Sequence, residues 1–420
     1  MNNFIKIRLK SGALQFAIYT SAIVALLLLG LILYVHTFNT LKQNTTISID
    51  NIKATNAGFF EALKSNEISR DTLLFSNFSD KNQKVLVLNS IWGIFQKTDV
   101  ISKNKNKSFH KPALIGSCFN NKERLALYLK NNYKPLVVVG NTKVEGKVMI
   151  PIQGVQSGYI AGNGYYGEQL IYGTINNSLD GLPKLNASLL SNLENSVNSN
   201  NNSVSNFELR ENEKMVNSFQ SITKVINKKE AIVLTQEIIG NFIIKSETSI
   251  RVTSNSRLKN IILIAPEISI EDGVSGNFQA IANDKIEVGK KVQLSYPSAL
   301  VINNNDKFSS SEGELLIQEY SSIKGVILYK TKMDLRNSFK THLKIAEDVK
   351  IMGDVYCEGN LELKGSVWGS VYTHQFVSNT AGTIFINHLY NAKISSKEFP
   401  IEFSGILIDN QAKNIMKWLY

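Results

Sequence analysis

From Ala13 to Val35 the chain runs for 23 residues without a charge. A helix rises about 1.5 Å per residue, so this segment reaches roughly 34 Å, enough for a hydrocarbon core of about 30 Å. In lipid every backbone N–H must be bonded within the segment, and a lone strand cannot do that. Gln15, Thr20 and Ser21, the polar residues of the run, all sit in its first half and none ionises. The pattern predicts a transmembrane helix over 13–38.

The flanks set its direction. Lys6, Arg8 and Lys10 precede the run with no acid among residues 1–12, whereas Lys42 and then Asp50 follow it. That asymmetry predicts a cytoplasmic basic tail at 1–12 and a large domain on the far side of the cytoplasmic (inner) membrane, periplasmic or extracellular. A cleaved secretory signal has an apolar core of about 7–15 residues and a small-residue A-x-A site, and no such site follows here. The expectation is a retained single-pass anchor, with membrane lipid as first partner.

Roughly 380 residues remain beyond the anchor, on the order of two to three domains or one elongated one. Net charge is +11, three of it from the tail. The balance would attract acidic polymers such as glycan or DNA, although the cations are scattered and only Lys103, Lys105, Lys107 and Lys111 cluster. Cys118 and Cys357 have no spacing that points to a disulfide framework or a metal site. They fit two buried small side chains, or a pair in an oxidising compartment.

Residues 39–135 read as a membrane-proximal α+β region. Residues 39–70 are helical in pattern, Lys84–Leu88 and Ile91–Phe95 strand-like, Asn104–Lys111 a basic loop, and Glu123–Lys130 a short helix or an exposed strand. From 136 to 239 short apolar runs alternate with glycines, which predicts strands and turns. Within that stretch 176–206, rich in Asn and Ser, reads as a loop, and Glu208–Lys229 as a short amphipathic helix.

The span 240–420 is the most regular. Apolar runs recur, with Ile268/Ile270 and Ile286/Val288 separated by 18 residues, and Ile345 and Leu363 by the same interval. Short strands at such a pitch suit a β-helix, in which no coil buries its apolar face alone and stacking supplies a continuous core. A β-sandwich would carry more hairpin turn signals than Gly162-Asn-Gly164. The predicted fold class is therefore mainly β, with an N-terminal transmembrane helix and a β-helical solenoid.

The segment Val349–Thr373, with Gly359, Leu361, Leu363, Gly365, Val367, Gly369 and Val371, resembles the bactofilins. These are bacterial polymer-forming β-helical proteins, and the resemblance implies an assembling module with no catalytic residue to transfer. The N-terminal run Lys10-Ser11-Gly12-Ala13-Leu14 resembles the leader of type IV prepilins and pseudopilins. There the peptidase cuts after the Gly, so the resemblance implies Gly12 and Ala13 as a candidate processing site. It also implies a helix that packs into a filament core. Where that family carries Glu at the fifth mature position, this chain has Ala17. The layout as a whole also looks like that of uncharacterised single-pass bacterial membrane proteins.

Chemistry is sparse. His36, His110, His342, His374 and His388 are dispersed, with no H-x-x-x-H or HExxH spacing. There is no G-x-S-x-G elbow and no P-loop. Gly162-Asn-Gly164-Tyr-Tyr-Gly167 matches G-x-G-x-x-G in letters, but a strand-like run rather than a helix follows it. Glu271–Asp272, Glu347–Asp348 and Asp354 are the acids to weigh for glycoside chemistry, which needs two carboxylates held about 5–9.5 Å apart. They read as solvated turn residues. Tyr165, Tyr166, Tyr172 and Trp368 are candidates for stacking on sugars or bases, or for packing on a neighbouring coil.

The expected function is a non-catalytic structural component of a homo- or hetero-oligomeric envelope assembly. A pseudopilin-like subunit of a type IV filament or secretion machine is one form of it. The alternative is a membrane-tethered binder or processing enzyme for acidic glycan. No catalytic, cofactor or metal residue is assigned, and no cofactor is expected.

Overall fold

The computed structural model describes residues 11–64, 73–75, 83–119, 124–198, 205–206, 208–209, 213–304, 312–332, 339–380, 382–397, 399–400 and 402–420. The first element is one helix, Ser11–Lys64, and it contains a segment long and apolar enough to cross a membrane. The basic tail residues Lys6, Arg8 and Lys10 lie outside the described residues. The helix expected over 39–70 is, as far as Lys64, the continuation of this first helix rather than a separate element, and 65–70 lie outside the described residues.

After the helix the chain is mainly β. A five-stranded sheet runs in the order Leu73–Phe75, Gln83–Trp92, Phe95–Asn104, Lys107–Ser117, Lys413–Trp418, and its last two strands are antiparallel. The chain divides into two compact units. One holds the helix to Gly58 with residues 74–86 and 101–110. Inside it Asn51 is a buried hub: its Nδ2 donates to the Lys107 carbonyl at 3.2 Å and its Oδ1 accepts from Ser102 Oγ at 2.9 Å. The basic loop expected at Asn104–Lys111 is a tight turn between two strands, with Lys105 at φ +50°.

The second unit takes 59–73, 87–100 and 111–420. In it most strands between Leu125 and Ser395 link, by pairing that is parallel except at Thr383–Ile386, into one closed assembly, while Leu136–Val139, Val155–Ser157 and His388–Tyr390 form a separate three-stranded sheet. The pairing follows three columns. One joins Met215, Ile238, Leu258, Gly276, Leu294, Ile323, Ile351 and Val367 in turn. The next joins Ile226, Ile244, Leu263, Ala280, Leu300, Ile327, Val355 and Val371. The third joins Ile232, Ile250, Ile268, Ile286, Leu315, Leu343, Leu361 and Phe376. The 18-residue interval in the sequence is therefore the register itself: Ile268 faces Ile286 and Ile345 faces Leu363.

The columns then continue out of sequence order. Val367 pairs with Ile394, which pairs with Val144, and Val371 pairs with Leu127, which pairs with Val148 and on to Ile175. In the three-stranded sheet His388–Tyr390 and Val155–Ser157 flank Leu136–Val139, both in parallel. The chain lays down the strands of one end first and then crosses to the far end. It returns to meet them at the strand Leu125–Leu129. Glu123–Lys130 supplies the joining strand Leu125–Leu129, buried rather than exposed.

The crossing segment holds two departures from expectation. Residues 176–206 contain a helix, Ala187–Asn198, and 208–229 contains strands Met215–Asn217 and Lys224–Lys228 instead of an amphipathic helix. Leu189 and Leu193 bury that helix on the outer side of the second column, beside Ile262, Ile281, Val301 and Leu328. Alternate residues of the same strands, such as Leu263, Ala280 and Ile327, face the inner core. Covered on both sides, these strands carry unbroken apolar runs such as IILIA and ALVI rather than alternation.

Candidate functional site

Arg124 immediately precedes the joining strand, at the point where the out-of-order strands meet. Its Nη1 lies 3.0 Å from Asp354 Oδ1 and 3.4 Å from Ser370 Oγ, and its Nη2 lies 3.4 Å from the Phe403 carbonyl. Both side chains are solvent-free, at 1% and 0% exposure. The rings of Phe399, Phe119 and Phe403 surround the guanidinium at 4.6, 5.2 and 5.3 Å. Asp354 Oδ2 accepts the Ile406 N–H at 3.1 Å. A guanidinium keeps its charge at any accessible pH, and its flat fork can satisfy a carboxylate and stack on aromatics at once.

This arrangement corrects the reading of Asp354 as a solvated turn acid. It is enclosed because the C-terminal segment covers the column it stands on: a side chain at Gly405 would put its Cβ 1.6 Å from Asp354 Oδ2. Burial pushes its carboxyl up, opposed by Arg124 and the Ile406 N–H. Sealed from solvent and bonded to the Phe403 carbonyl and the Ile406 N–H, the pair clasps the C-terminal segment.

The other acids stay in turns between strands. Glu271 Oε1 accepts from Arg251 Nε at 2.7 Å, and Asp272 Oδ1 accepts the Lys290 N–H at 2.7 Å. Glu347 and Asp348 are exposed. The structure does not join any of them to Asp354, so the paired carboxylates that glycoside chemistry requires are not assembled from these residues.

The histidines are likewise separate. His342 is buried, with Nε2 3.0 Å from Glu312 Oε2, while its Nδ1 accepts the Asn360 N–H at 3.0 Å. His388 Nδ1 lies 2.7 Å from the Ile386 carbonyl oxygen. Among the described residues no group of three or more His, Cys, Asp or Glu could hold a metal. Cys118 and Cys357 are both free thiols, and burial pushes the Cys357 thiol up to about 12.

Among the hollows on the surface of this unit, two are lined by the candidate residues or by charged side chains. The larger, about 710 Å³, is bordered by Lys130, Lys184, Lys330, His374, Glu358 and Asp409. Its charges are mutually engaged: Lys330 Nζ meets Glu358 at 3.2 Å and Lys130 Nζ meets His374 Nε2 at 3.1 Å. The smaller, about 250 Å³, is lined by Lys324, Lys350, Met352, Trp368, Phe399 and Pro400 among others.

Of the aromatic candidates, only Trp368 lines either hollow. Tyr165 donates its hydroxyl to the Gln169 carbonyl, Tyr166 is exposed and donates to Asn163 Oδ1 at 3.1 Å, and Tyr172 lies under Lys143 at 5.2 Å. At the N-terminus Gly12 is an exposed helical residue with no atom within 4 Å of where a Cβ would stand, and Ala13 follows it on the same exposed helix. Comparison with family models, with curated proteins and with solved structures returns no match.

Proposed function

We propose that this chain is a membrane-anchored, non-catalytic structural component of a bacterial cell envelope, whose β assembly is a β-helical solenoid of the kind the bactofilin resemblance implies. The observation that carries the reading is the register. In a simple barrel each strand pairs along one ring with its two neighbours. Here the single strand Arg257–Ile270 takes part in all three columns, pairing with Glu237–Gly240, Phe242–Ser246 and Ser249–Val252 on one side. Coils stacked along an axis produce that pattern, and the stack offers a rigid surface for assembly.

The anchor is the helix Ser11–Lys64, with its basic tail in the cytoplasm and the solenoid across the inner membrane. The enclosed state of Asp354 and the paired corner acids favour a scaffold over a glycan-processing enzyme. The prepilin-like form of the proposal gains support from helix continuity. The helix runs without a break from Gly12 to Lys64, so a cut after Gly12 would leave a long apolar helix for filament packing.

The test is membrane fractionation and N-terminal sequencing of the protein from its native cell. An integral membrane protein beginning at Met1 supports a tethered scaffold, and one beginning at Ala13 supports the filament form. A soluble protein lacking residues 13–38 overturns the anchor.

A further inference from the structure

Three successive coil strands align on their glycines as SIKG, KIMG and SVWG. Register makes them neighbours: Lys324 faces Met352, which faces Trp368, while Ser322 faces Lys350, which faces Ser366, which faces Lys393. Alternate residues on a strand share a face, so these positions form a two-row grid on the outside of the assembly. Strands stand about 4.8 Å apart, which puts Lys350 and Lys393 roughly 9.6 Å apart in one row and Lys324 and Trp368 roughly 9.6 Å apart in the other.

The grid has an unusual composition. Lys324, Lys350 and Met352 are exposed and Trp368 is half-exposed. Lys393 Nζ lies 5.8 Å from the Trp368 ring centroid. Met352, Trp368 and Phe399 give the hollow an apolar wall, and no acid lines it among the described residues. Neither Lys324 nor Lys350 has a carboxylate partner among the described residues, although the neighbouring cations Lys143, Lys285, Lys290 and Lys330 all do.

We propose that this face binds an acidic saccharide, one sugar ring seated in the hollow against Trp368 and its carboxylates met by Lys324, Lys350 and Lys393. The apolar face of a sugar ring packs on an indole, and the ring suits a hollow of about 250 Å³. Exposed ammonium–carboxylate pairs contribute little singly, so recognition requires several cations spaced along the polymer, as the grid supplies. A single stranded nucleic acid instead uses a succession of stacking platforms, and this face carries one. The inference stands apart from the scaffold reading, since a tethered scaffold needs no ligand and a soluble form of the chain would keep the grid.

The experiment is equilibrium binding of the full chain in detergent to a hexameric oligogalacturonate, with cellohexaose and oligo(dT) of equal charge as comparators. The expected result is saturable uronate binding that weakens on raising salt and is at least tenfold tighter than binding of either comparator. The exposed double variant Lys324→Ala/Lys350→Ala should lose at least tenfold with its thermal unfolding unchanged. Trp368→Ala should lose as much, and Trp368→Phe, which keeps a ring, should lose less. Absence of uronate binding, equal binding of either comparator, or affinity indifferent to these variants would overturn the proposal.

Discussion

Arg124 and Asp354 are 3.0 Å apart, fully enclosed, and separated by 230 residues of chain. They meet where the strand Leu125–Leu129 takes over the column from Val371. A β assembly built from two chain segments out of order has one weak point, the joint, because no peptide bond spans it. The pair stands at that joint, with Phe399 and Phe403 of the C-terminal segment closing over it. Removing one partner strands a buried charge, which costs about 3–5 kcal/mol, while replacing both by apolar groups costs far less. Asp354→Ala and Arg124→Met should each destabilise this unit by about that amount in denaturant unfolding. Arg124→Met/Asp354→Leu should be more stable than either single variant, and equal loss in all three would show that the charges are not coupled.

Gly325, Gly353 and Gly369 form a second load path, a column at one corner of successive coils. Each has φ between +138° and +147°, and a Cβ on Gly353 would stand 1.8 Å from the Gly325 carbonyl oxygen. The backbone strain alone is worth about 1–3 kcal/mol for a residue with a side chain, and the steric overlap adds to it. Gly353→Ala should lower the thermal midpoint clearly. Gly181→Ala, where nothing lies within 4 Å, should leave it unchanged.

That glycine column also shows how far the sequence could be read. The 18-residue interval is visible because coils without insertions repeat their apolar pairs at the register spacing, as Ile268 and Ile286 do. Between Ile286 and Leu315 and between Leu315 and Leu343 insertions stretch the interval, so the repeat fades although the pairing persists. Aligning on Gly325, Gly353 and Gly369 instead would have put Lys324, Met352 and Trp368 in one row. The resemblance pattern centred on Gly359 and Gly365 did not do so. The splice had no local signal: nothing near Arg124 indicates that its carboxylate partner lies at Asp354. The helix Ala187–Asn198 was hidden for a different reason. Its apolar side is short, Leu189 and Leu193, and it is held by tertiary burial more than by its own propensity.

His342 gives a pH dependence with a defined sign. The Asn360 N–H donates to Nδ1, so the neutral ring must carry its proton on Nε2 and donate it to Glu312. Burial lowers the pKa of the ring, with Glu312 opposing. The unfolded chain, with an ordinary value of about 6.5, takes up a proton that the folded ring resists. Stability contributed by His342 is therefore full above about pH 6.5 and falls as pH drops from there toward the lower folded value. Unfolding measured between pH 7 and 5 should show this slope in the parent and a smaller one in His342→Gln.

Lys417 should act in the alkaline range with the opposite chemistry. Its ammonium is half-buried on the strand Lys413–Trp418, donating to Asn260 Oδ1 at 2.6 Å and Asn277 Oδ1 at 3.3 Å, with no carboxylate among the described residues to offset its desolvation. Burial, reinforced by the charge of Lys259, lowers its pKa to about 8. The unfolded lysine holds its proton to about pH 10.4. Between these values the unfolded state binds more protons than the folded one, so stability must rise with pH. Tyrosines whose pKa burial raises, Tyr329 and Tyr356 among them, turn the balance downward once unfolded phenols ionise near pH 10, which leaves a window from about 8 to 9.5. Denaturant midpoints should climb across that window in the parent chain. In Lys417→Met, which keeps the aliphatic stem and loses the charge, the climb should become shallower, since Lys111, Lys245 and Lys413, whose pKa burial also lowers, remain. A slope unchanged by that substitution would assign it to some other group.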